Sequence, residues 1–306
     1  MTDATPDAQA RARAEFDDLV RDVRPALHRY CARMVGSSIE GEDVVQDALA
    51  KAYYQLSRLG GVSNVRGWLF RIAHNKALDH LKRYEGRFAD RLDHDLPAPD
   101  GEPVVERHEV ARWGLSFFTK LTVMQRSCVI LKDVLDYSLE EISDVLDASV
   151  PAIKGALHRG RASLRRMADA AEREANPAAS AADAETPELS GDEIALLERY
   201  VERFNARDFD ALREMLADDV RLDMVSRAQE RGAERVGGYF TRYAAMADCT
   251  LRVGGVEGRA ALLGADGPAD QTGFFILIDW DGERIQGIKD YRYARWVLAE
   301  ARRGLA

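Results

Sequence analysis

Cysteine is scarce in this sequence: the 306 residues include three, at positions 31, 128 and 249. Isolated cysteines at this spacing predict neither a disulfide framework nor a cysteine-based zinc site. Long hydrophobic runs are also missing, since no apolar stretch approaches the ~20 residues of a membrane-spanning helix. The first residues are polar and lack the apolar core of a signal peptide. We therefore expect a cytoplasmic protein that has no membrane partner, metal site or cofactor.

The net charge of −9 argues, taken alone, against a nucleic-acid partner. The charge is unevenly distributed, however. Residues 51–92 carry nine Lys or Arg against three acids, and residues 150–167 carry five against none, whereas 93–110 and 168–191 are each net −5. Local fields govern contact with DNA more than the total charge does. The sequence therefore predicts two basic surfaces separated by acidic connectors.

A helix-turn-helix is predicted over residues 139–166, LEEISDVLDASVPAIKGALHRGRASLRR. Ser138 is a candidate N-cap of the first helix, and Ser149 caps the second, which has Pro151 in its first turn. A basic face with no acid characterises the second helix, which carries Lys154, His158, Arg159, Arg161, Arg165 and Arg166. Such a helix behind a supporting helix is typical of a major-groove reader. The alternative is a solvated basic helix in an all-helical bundle.

Three helices are predicted before it, over 15–35, 41–59 and 65–84, because apolar residues recur there at helical spacing. Residues 1–14 are polar, and we expect a frayed tail. The exposed side of the second helix begins with an acidic cluster, for which complementing the helix dipole is an alternative explanation. That cluster consists of Glu42, Asp43, Gln46 and Asp47.

The last third of the chain has a different pattern of apolar residues, which combines helical and strand-like segments. Residues 192–206 and 209–216 have helical patterns. Apolar residues then alternate or cluster, as they do in strands, over 219–225, 250–253, 259–263, 273–280 and 284–293. Helices that lead into a curved antiparallel sheet predict an α+β domain.

The N-terminal half resembles an extracytoplasmic-function sigma factor, which is a promoter-specificity subunit of bacterial RNA polymerase. The strings that carry this resemblance are GEDVVQDALAKAYYQL, RGWLFRIAHNKALDHLKR and the helix-turn-helix. The C-terminal part resembles the SnoaL-like domain of the NTF2-like class, a cone-shaped α+β barrel, on the strings LLERYVERFNARDFDALREMLADDVRLDM and GFFILIDWDGERIQGIKDYRYARWV. The resemblance implies an all-α N-terminal half, a region 2 helical bundle and a region 4 helix-turn-helix, followed by that barrel. The implied domains are region 2 (15–86), an acidic linker (87–109), region 4 (110–170), a second linker (171–191) and the SnoaL-like domain (192–306).

The resemblance also implies roles for individual residues. Asp43, Gln46 and Asp47 would dock on core RNA polymerase, at the clamp of the largest subunit, while region 4 meets the flap of the second subunit. The melted −10 strand of promoter DNA would be held by the loop Gly61 to Asn64 and by Arg66, Arg71, Asn75, Lys76, Lys82 and Arg83. Trp68 is expected in the core rather than as a stacking platform. The −35 element would be contacted by Lys154, His158 and Arg159, with Arg161 and Arg165 on phosphates.

SnoaL-like domains fused to sigma factors modulate activity by contacting regions 2 and 4, which implies the same intramolecular contact here. The DGGGK-like and NPDK-like strings of one subgroup are absent, so that subgroup's contact residues are not carried over. SnoaL-type enzymes commonly use cavity histidines, yet all six histidines lie at or before His158. Asp223, Arg242, Asp290 and Tyr291 are candidates to line a ligand cavity, and salt-bridging or rim roles are the alternative.

We therefore expect a non-enzymatic sigma factor. Two alternatives remain open: a one-component helix-turn-helix regulator with a ligand-sensing SnoaL-like domain, and a SnoaL-type enzyme tethered to DNA. A one-component regulator would give no role to the acidic and basic residues between 42 and 83.

Overall fold

A computed structural model describes residues 6–56, 64–84, 114–174, 191–266 and 272–303. The chain divides into two compact units, one formed by residues 1–179 and 302–306 and the other by residues 180–301. The predicted linker 87–109 and most of the linker 171–191 lie outside the described residues. None of the described helices is both long enough and apolar enough to cross a membrane.

The first two helices begin earlier than their apolar patterns predict. Helix α1 spans Pro6–Val35, so much of the expected frayed tail is helical, and Gly36 ends it with a φ of +86°. Glycine adopts this left-handed conformation at little cost. Helix α2 spans Ser38–Leu56 rather than starting at 41, because Oγ of Ser37 accepts a hydrogen bond from N of Glu40 at 3.2 Å and so satisfies a free N–H of the first turn.

The remaining helices of the first unit follow the predicted order. The helix that begins at Val123 changes its hydrogen-bond pattern at Ile130 and continues as a π-helical segment, Ile130–Val134. The α-helices are α3 (Val65–Tyr84), α4 (Leu115–Thr119), α5 (Val123–Val129), α6 (Leu139–Leu146) and α7 (Val150–Glu174).

One continuous hydrophobic core joins α1–α3 to α4–α7. Tyr30, Phe70, Phe118 and Leu131 are each fully buried in it. The segments that resemble regions 2 and 4 are therefore packed as a single body.

The second unit is α+β, as predicted. A six-stranded sheet in the order β2-β1-β6-β5-β4-β3 packs against helices. The pair β1/β6 is parallel, so the sheet is mixed and the prediction of an antiparallel sheet is wrong for that pair. The strands are β1 (Leu216–Met224), β2 (Ala228–Arg231), β3 (Cys249–Val256), β4 (Arg259–Asp266), β5 (Phe274–Asp281) and β6 (Arg284–Asp290). The helices are α8 (Gly191–Asn205), α9 (Phe209–Glu214), α10 (Ala233–Ala244) and α11 (Arg295–Arg303).

Aromatic rings fill the space between α8, α10 and the sheet. Tyr200, Phe204, Tyr239, Phe240 and Phe274 are all fully buried there. The ring centroids of Tyr239 and Phe240 are 5.3 Å apart in an edge-on arrangement, which is favourable for aromatic pairs. The interior of the domain is thus a packed core.

Candidate nucleic-acid interface

The helix-turn-helix is fixed by side-chain caps at the start of both helices. Oγ of Ser138 accepts from N of Glu141 at 3.1 Å, and Oε2 of Glu141 accepts from N of Ser138 at 2.8 Å, which closes a capping box on α6. Asp147 ends α6 with a left-handed φ of 52°. Oγ of Ser149 then accepts from N of Ala152 at 3.4 Å at the start of α7. The predicted caps are therefore confirmed.

Helix α7 has a buried face and a cationic face. Ile153, Leu157 and Leu164 are buried in the core, as the helical spacing predicts. Lys154 and Arg165 are exposed on the other side. Two further side chains of the predicted −35 set, those of His158 and Arg159, are half-buried. The helix can therefore present at least Lys154 and Arg165 to a polyanion.

Arg161 lies in the middle of that set but points inward. Its Nε and Nη2 donate to the two carboxylate oxygens of Asp133 at 3.0 and 2.7 Å. The Asp133 side chain is 1% exposed and that of Arg161 is 17% exposed. A buried carboxylate needs such a bidentate partner. We therefore withdraw Arg161 from the predicted phosphate-binding residues.

Helix α3 carries the residues predicted to hold the −10 strand. Arg71, Asn75 and Lys82 are spaced by four and seven residues and share one exposed stripe. Trp68 is partly buried and packs against the core, with its ring 6.4 Å from that of Phe16. The remaining members, Arg66 and Arg83, are exposed, and Lys76 is half-buried.

Two of these arginines contact the helix-turn-helix segment. Nε of Arg66 donates to Oη of Tyr137 at 3.2 Å, and Nη2 of Arg71 donates to the carbonyl oxygen of Asp144. The Phe70 and Tyr137 rings pack beside them with centroids 5.1 Å apart. Burial raises the pKa of Tyr137, and the Arg66 guanidinium opposes that shift. In this arrangement Arg66 and Arg71 each contact the helix-turn-helix segment while both side chains stay exposed.

The predicted base-capturing loop lies mostly outside the described residues. Residue 64, its last member, is described: Oδ1 of Asn64 accepts from N of Gly67 at 2.9 Å. Asn64 thereby satisfies a free N–H in the first turn of α3. The start of this helix is capped by the end of the loop.

The acidic face of α2 is smaller than the sequence predicts. Asp43 and Asp47 are exposed and Gln46 is half-buried. The prediction that Glu42 is exposed is wrong, because its carboxylate is fully buried and paired with the Arg24 guanidinium. The face that remains consists of Asp43, Gln46 and Asp47.

Arg126 is a residue of structural importance that sequence reasoning missed. It is fully buried, and its guanidinium donates to the carbonyl oxygens of Met34, Thr119 (2.7 Å) and Leu121 (3.1 Å). Met34 belongs to α1, so Arg126 links the two sigma-like segments. The available signal was a lone arginine next to the apolar run that begins at Cys128.

The four predicted cavity residues of the C-terminal domain do not line one cavity. Asp223 pairs in register with Lys289, whereas Asp290, the next residue of β6, projects from the opposite face of the sheet. Nη2 of Arg242 donates to Glu230 at 2.9 Å. Tyr291 is buried and stacks on a phenylalanine ring at a centroid distance of 4.1 Å.

Asp290 is enclosed by hydrogen-bond donors. Its carboxylate accepts from Oη of Tyr239 at 3.1 Å, from Oη of Tyr243 at 2.8 Å and from N of Arg292 at 2.8 Å. Burial raises the pKa of Asp290, and the hydrogen bonds from Arg292, Tyr243 and Tyr239 oppose that shift. The carboxylate thus anchors two tyrosines of α10 to the end of β6. The described residues contain no group of three or more His, Cys, Asp or Glu that could hold a metal ion.

Three family models match the chain in succession. Sigma-70 region 2 matches residues 19–87, sigma-70 region 4 matches 117–164, and the SnoaL-like domain matches 197–277. The order agrees with the helical unit that carries α2, α3 and the helix-turn-helix, and with the α+β unit that follows.

Individual proteins that are similar to this chain are also sigma factors. The chain is 30% identical over 242 residues to the ECF RNA polymerase sigma factor SigG of Mycobacterium tuberculosis, which covers 69% of this chain and 62% of that relative. It is 27% identical over 166 residues to SigW of Bacillus subtilis, covering 50% of this chain and 88% of the relative. A solved structure of the extracytoplasmic function sigma factor SigJ of M. tuberculosis covers 90% of this chain and 95% of its own, at 16% identity and a TM-score of 0.34.

The helical unit and its two matched regions define a sigma-70-type protein. Within that class the chain belongs to the extracytoplasmic-function sigma factors, in a form with a SnoaL-like domain behind region 4.

Proposed function

We propose that the chain directs core RNA polymerase to −35 and −10 promoter elements and starts transcription there. The observation that supports this most is that one compact unit holds a capped helix-turn-helix with exposed Lys154 and Arg165, a second cationic helix, α3, and the acidic face of α2. A one-component regulator needs only the first of these. The polymerase performs the phosphoryl transfer, so the chain itself acts by binding.

At the −35 element, α7 enters the major groove. Lys154, His158 and Arg159 face base edges, and Arg165 holds a phosphate. A bidentate contact from a side chain to a base contributes roughly 1–3 kcal/mol of discrimination. The capped turn between α6 and α7 fixes the angle at which this helix projects.

At the −10 element, α3 binds the separated strand. Phosphates need cations, and Arg66, Arg71, Lys76, Lys82 and Arg83 supply them, while Asn75 offers hydrogen bonds to bases. Arg66 and Arg71 must first leave Tyr137 and Asp144. Strand binding therefore entails loosening the contact between α3 and the helix-turn-helix segment.

On the polymerase, Asp43, Gln46 and Asp47 meet a basic surface, which we assign to the clamp of the largest subunit. Region 4 would contact the flap of the second subunit. Opposite charges across such an interface raise the rate of association and fix its register. We further propose that the protein acts in the cytoplasm and that its SnoaL-like domain modulates promoter activity.

Gel filtration of the full chain with purified core polymerase tests the proposal. A sigma factor elutes with the polymerase at a defined ratio and is displaced by another sigma factor. A one-component regulator elutes separately, and that result would contradict the proposal.

A further inference from the structure

One face of the C-terminal sheet carries a row of four residues from four adjacent strands. The strand register pairs Arg231 with Arg221, Arg221 with Gly287, and Gly287 with Asp279. Directly paired residues project from the same face of a sheet. The row therefore begins with two arginines, passes a glycine and ends at an acid. Leu222 and its neighbours on the opposite face belong to the aromatic core.

An open cleft of about 520 Å³ lies over this row. Its size falls within the range of small-molecule sites. Arg235, from the first turn of α10, adds a third guanidinium beside the two arginines. Gln229, Asp223 and Lys289, which form the next row of the same face, complete that side of the cleft.

The arginines at one end of the cleft form few ion pairs, although the Asp223 carboxylate lies in the next row of the same face. Within the described ranges, Arg221 and Arg235 have no ion-pair or hydrogen-bond partner. Arg231 lies 3.9 Å from Asp219, and both of these side chains are mostly exposed, so that pair contributes little. Like charges directly opposite each other on paired strands are destabilising. An anion bound beside Arg221 would weaken that repulsion.

Gly287 lines the cleft between its arginine end, at Arg221, and its acidic end, at Asp279. A Cβ atom at this position would lie 2.7 Å from Oδ2 of Asp279, so a side chain here would displace the carboxylate and occupy the cleft. Since neighbouring strands are ~4.8 Å apart, the Cα atoms of Arg221 and Asp279 are separated by about 10 Å. That span fits a short molecule with opposite charges at its two ends.

We propose that this cleft binds a small zwitterion, with a phosphate or carboxylate held by Arg221 and Arg235 and an ammonium group at Asp279. Guanidinium groups bind both anions through paired N–H donors. The proposal goes beyond the sigma-factor function and stands independently of it. It assigns a ligand site to the outer face of the SnoaL-like domain, away from the aromatic interior.

Calorimetric titration of the full chain tests the proposal with two matched pairs of probes. Phosphoethanolamine and ethyl phosphate form the phosphate pair, and 4-aminobutyrate and butyrate form the carboxylate pair. In at least one pair, we expect the probe that carries the amine to bind more tightly than the probe that lacks it. Whether the phosphate pair or the carboxylate pair binds shows which anion the cleft prefers. Absence of heat from all four probes at about 10 mM, a concentration that detects even weak binding, would overturn the proposal.

Variants then locate the site. Arg221→Gln with Arg235→Gln should weaken binding at least about tenfold, equivalent to ~1.4 kcal/mol. Arg259→Gln, which removes the same charge at an exposed position that starts β4, should leave it unchanged. Asp279→Asn should abolish the preference for the amine without changing the binding of the amine-free probe. The assignment would be refuted if Arg259→Gln weakened probe binding as much as the double arginine variant does. It would also be refuted if the preference for the amine survived Asp279→Asn. Circular dichroism establishes that each variant is folded.

Discussion

Arg66 and Tyr137 join helix α3 to the segment that leads into the helix-turn-helix: Nε donates to Oη at 3.2 Å, and the guanidinium lies 5.6 Å from the centre of the ring. The two residues are 71 positions apart, and they belong to segments that we expect to contact different promoter elements. If α3 binds the −10 strand as we propose, this contact competes with that strand for Arg66.

Tyr137→Phe tests this competition with the smallest change available. The substitution keeps the ring that packs on Phe70 but removes the acceptor of Arg66. A typical intramolecular hydrogen bond contributes about 1 kcal/mol net, and we expect the free protein to bind a single-stranded −10 oligonucleotide up to about fivefold more tightly. Fluorescence anisotropy measures the affinity. Weaker binding by the variant would mean that Tyr137 supports the strand site instead.

Arg126→Met should be severely destabilising, because it removes the donors to three carbonyl oxygens around a fully buried position. Buried acceptors left without partners cost ~1–3 kcal/mol each, and we expect a loss of about 3–5 kcal/mol in the free energy of unfolding. Urea denaturation measures it. Arg165→Met, at an exposed position of α7, is the matched control and should change stability little.

His74 makes the stability of the first unit pH-dependent. Burial lowers the pKa of His74 to about 4, and its Nδ1 lies 2.8 Å from Oη of Tyr30. The unfolded state binds the proton more readily, with a pKa of ~6.5. The contribution of neutral His74 to the free energy of unfolding is therefore fully present above pH ~6.5. It is lost as the pH falls from ~6.5 towards 4. Denaturation at several pH values should show this slope in the wild type and a shallower one in His74→Gln; identical slopes would exclude His74 as the source.

Charge reversal on α2 tests the docking surface. Asp43→Arg with Asp47→Arg alters two exposed side chains, so we expect the fold to be retained while association with core polymerase slows at low salt. Surface plasmon resonance at two salt concentrations measures the rate. Asp18→Arg with Asp22→Arg, at exposed positions of α1, is the control. Equal slowing by both pairs would indicate a general charge effect.

The helix-turn-helix was predictable because its signals are local. Ser138, Ser149 and the apolar spacing of α7 decide its caps and its buried face. Arg161 was misjudged because its partner, Asp133, is 28 residues away in sequence. A helical period shows which side of a helix a residue occupies but not whether a distant acid is folded against it.

In the C-terminal domain, the sequence pattern predicted the strands with strong apolar patterns but did not predict β2. Strand β2, Ala228–Arg231, has no buried hydrophobic residue, so no alternation marks it, and it forms by pairing at the edge of the sheet. The parallel pairing of β1 with β6 brings together residues more than 60 positions apart. The row from Arg231 to Asp279 follows from that pairing, so it was not visible in the sequence.

The most direct test of the central claim is run-off transcription with purified core polymerase and the full chain. Genomic fragments that the holoenzyme retains serve as templates, each paired with versions in which the −35 or the −10 element is scrambled. We predict a discrete transcript that requires the chain and is lost with either scrambled element. Retention of fragments by the chain alone, without any initiation by the polymerase, would contradict the account.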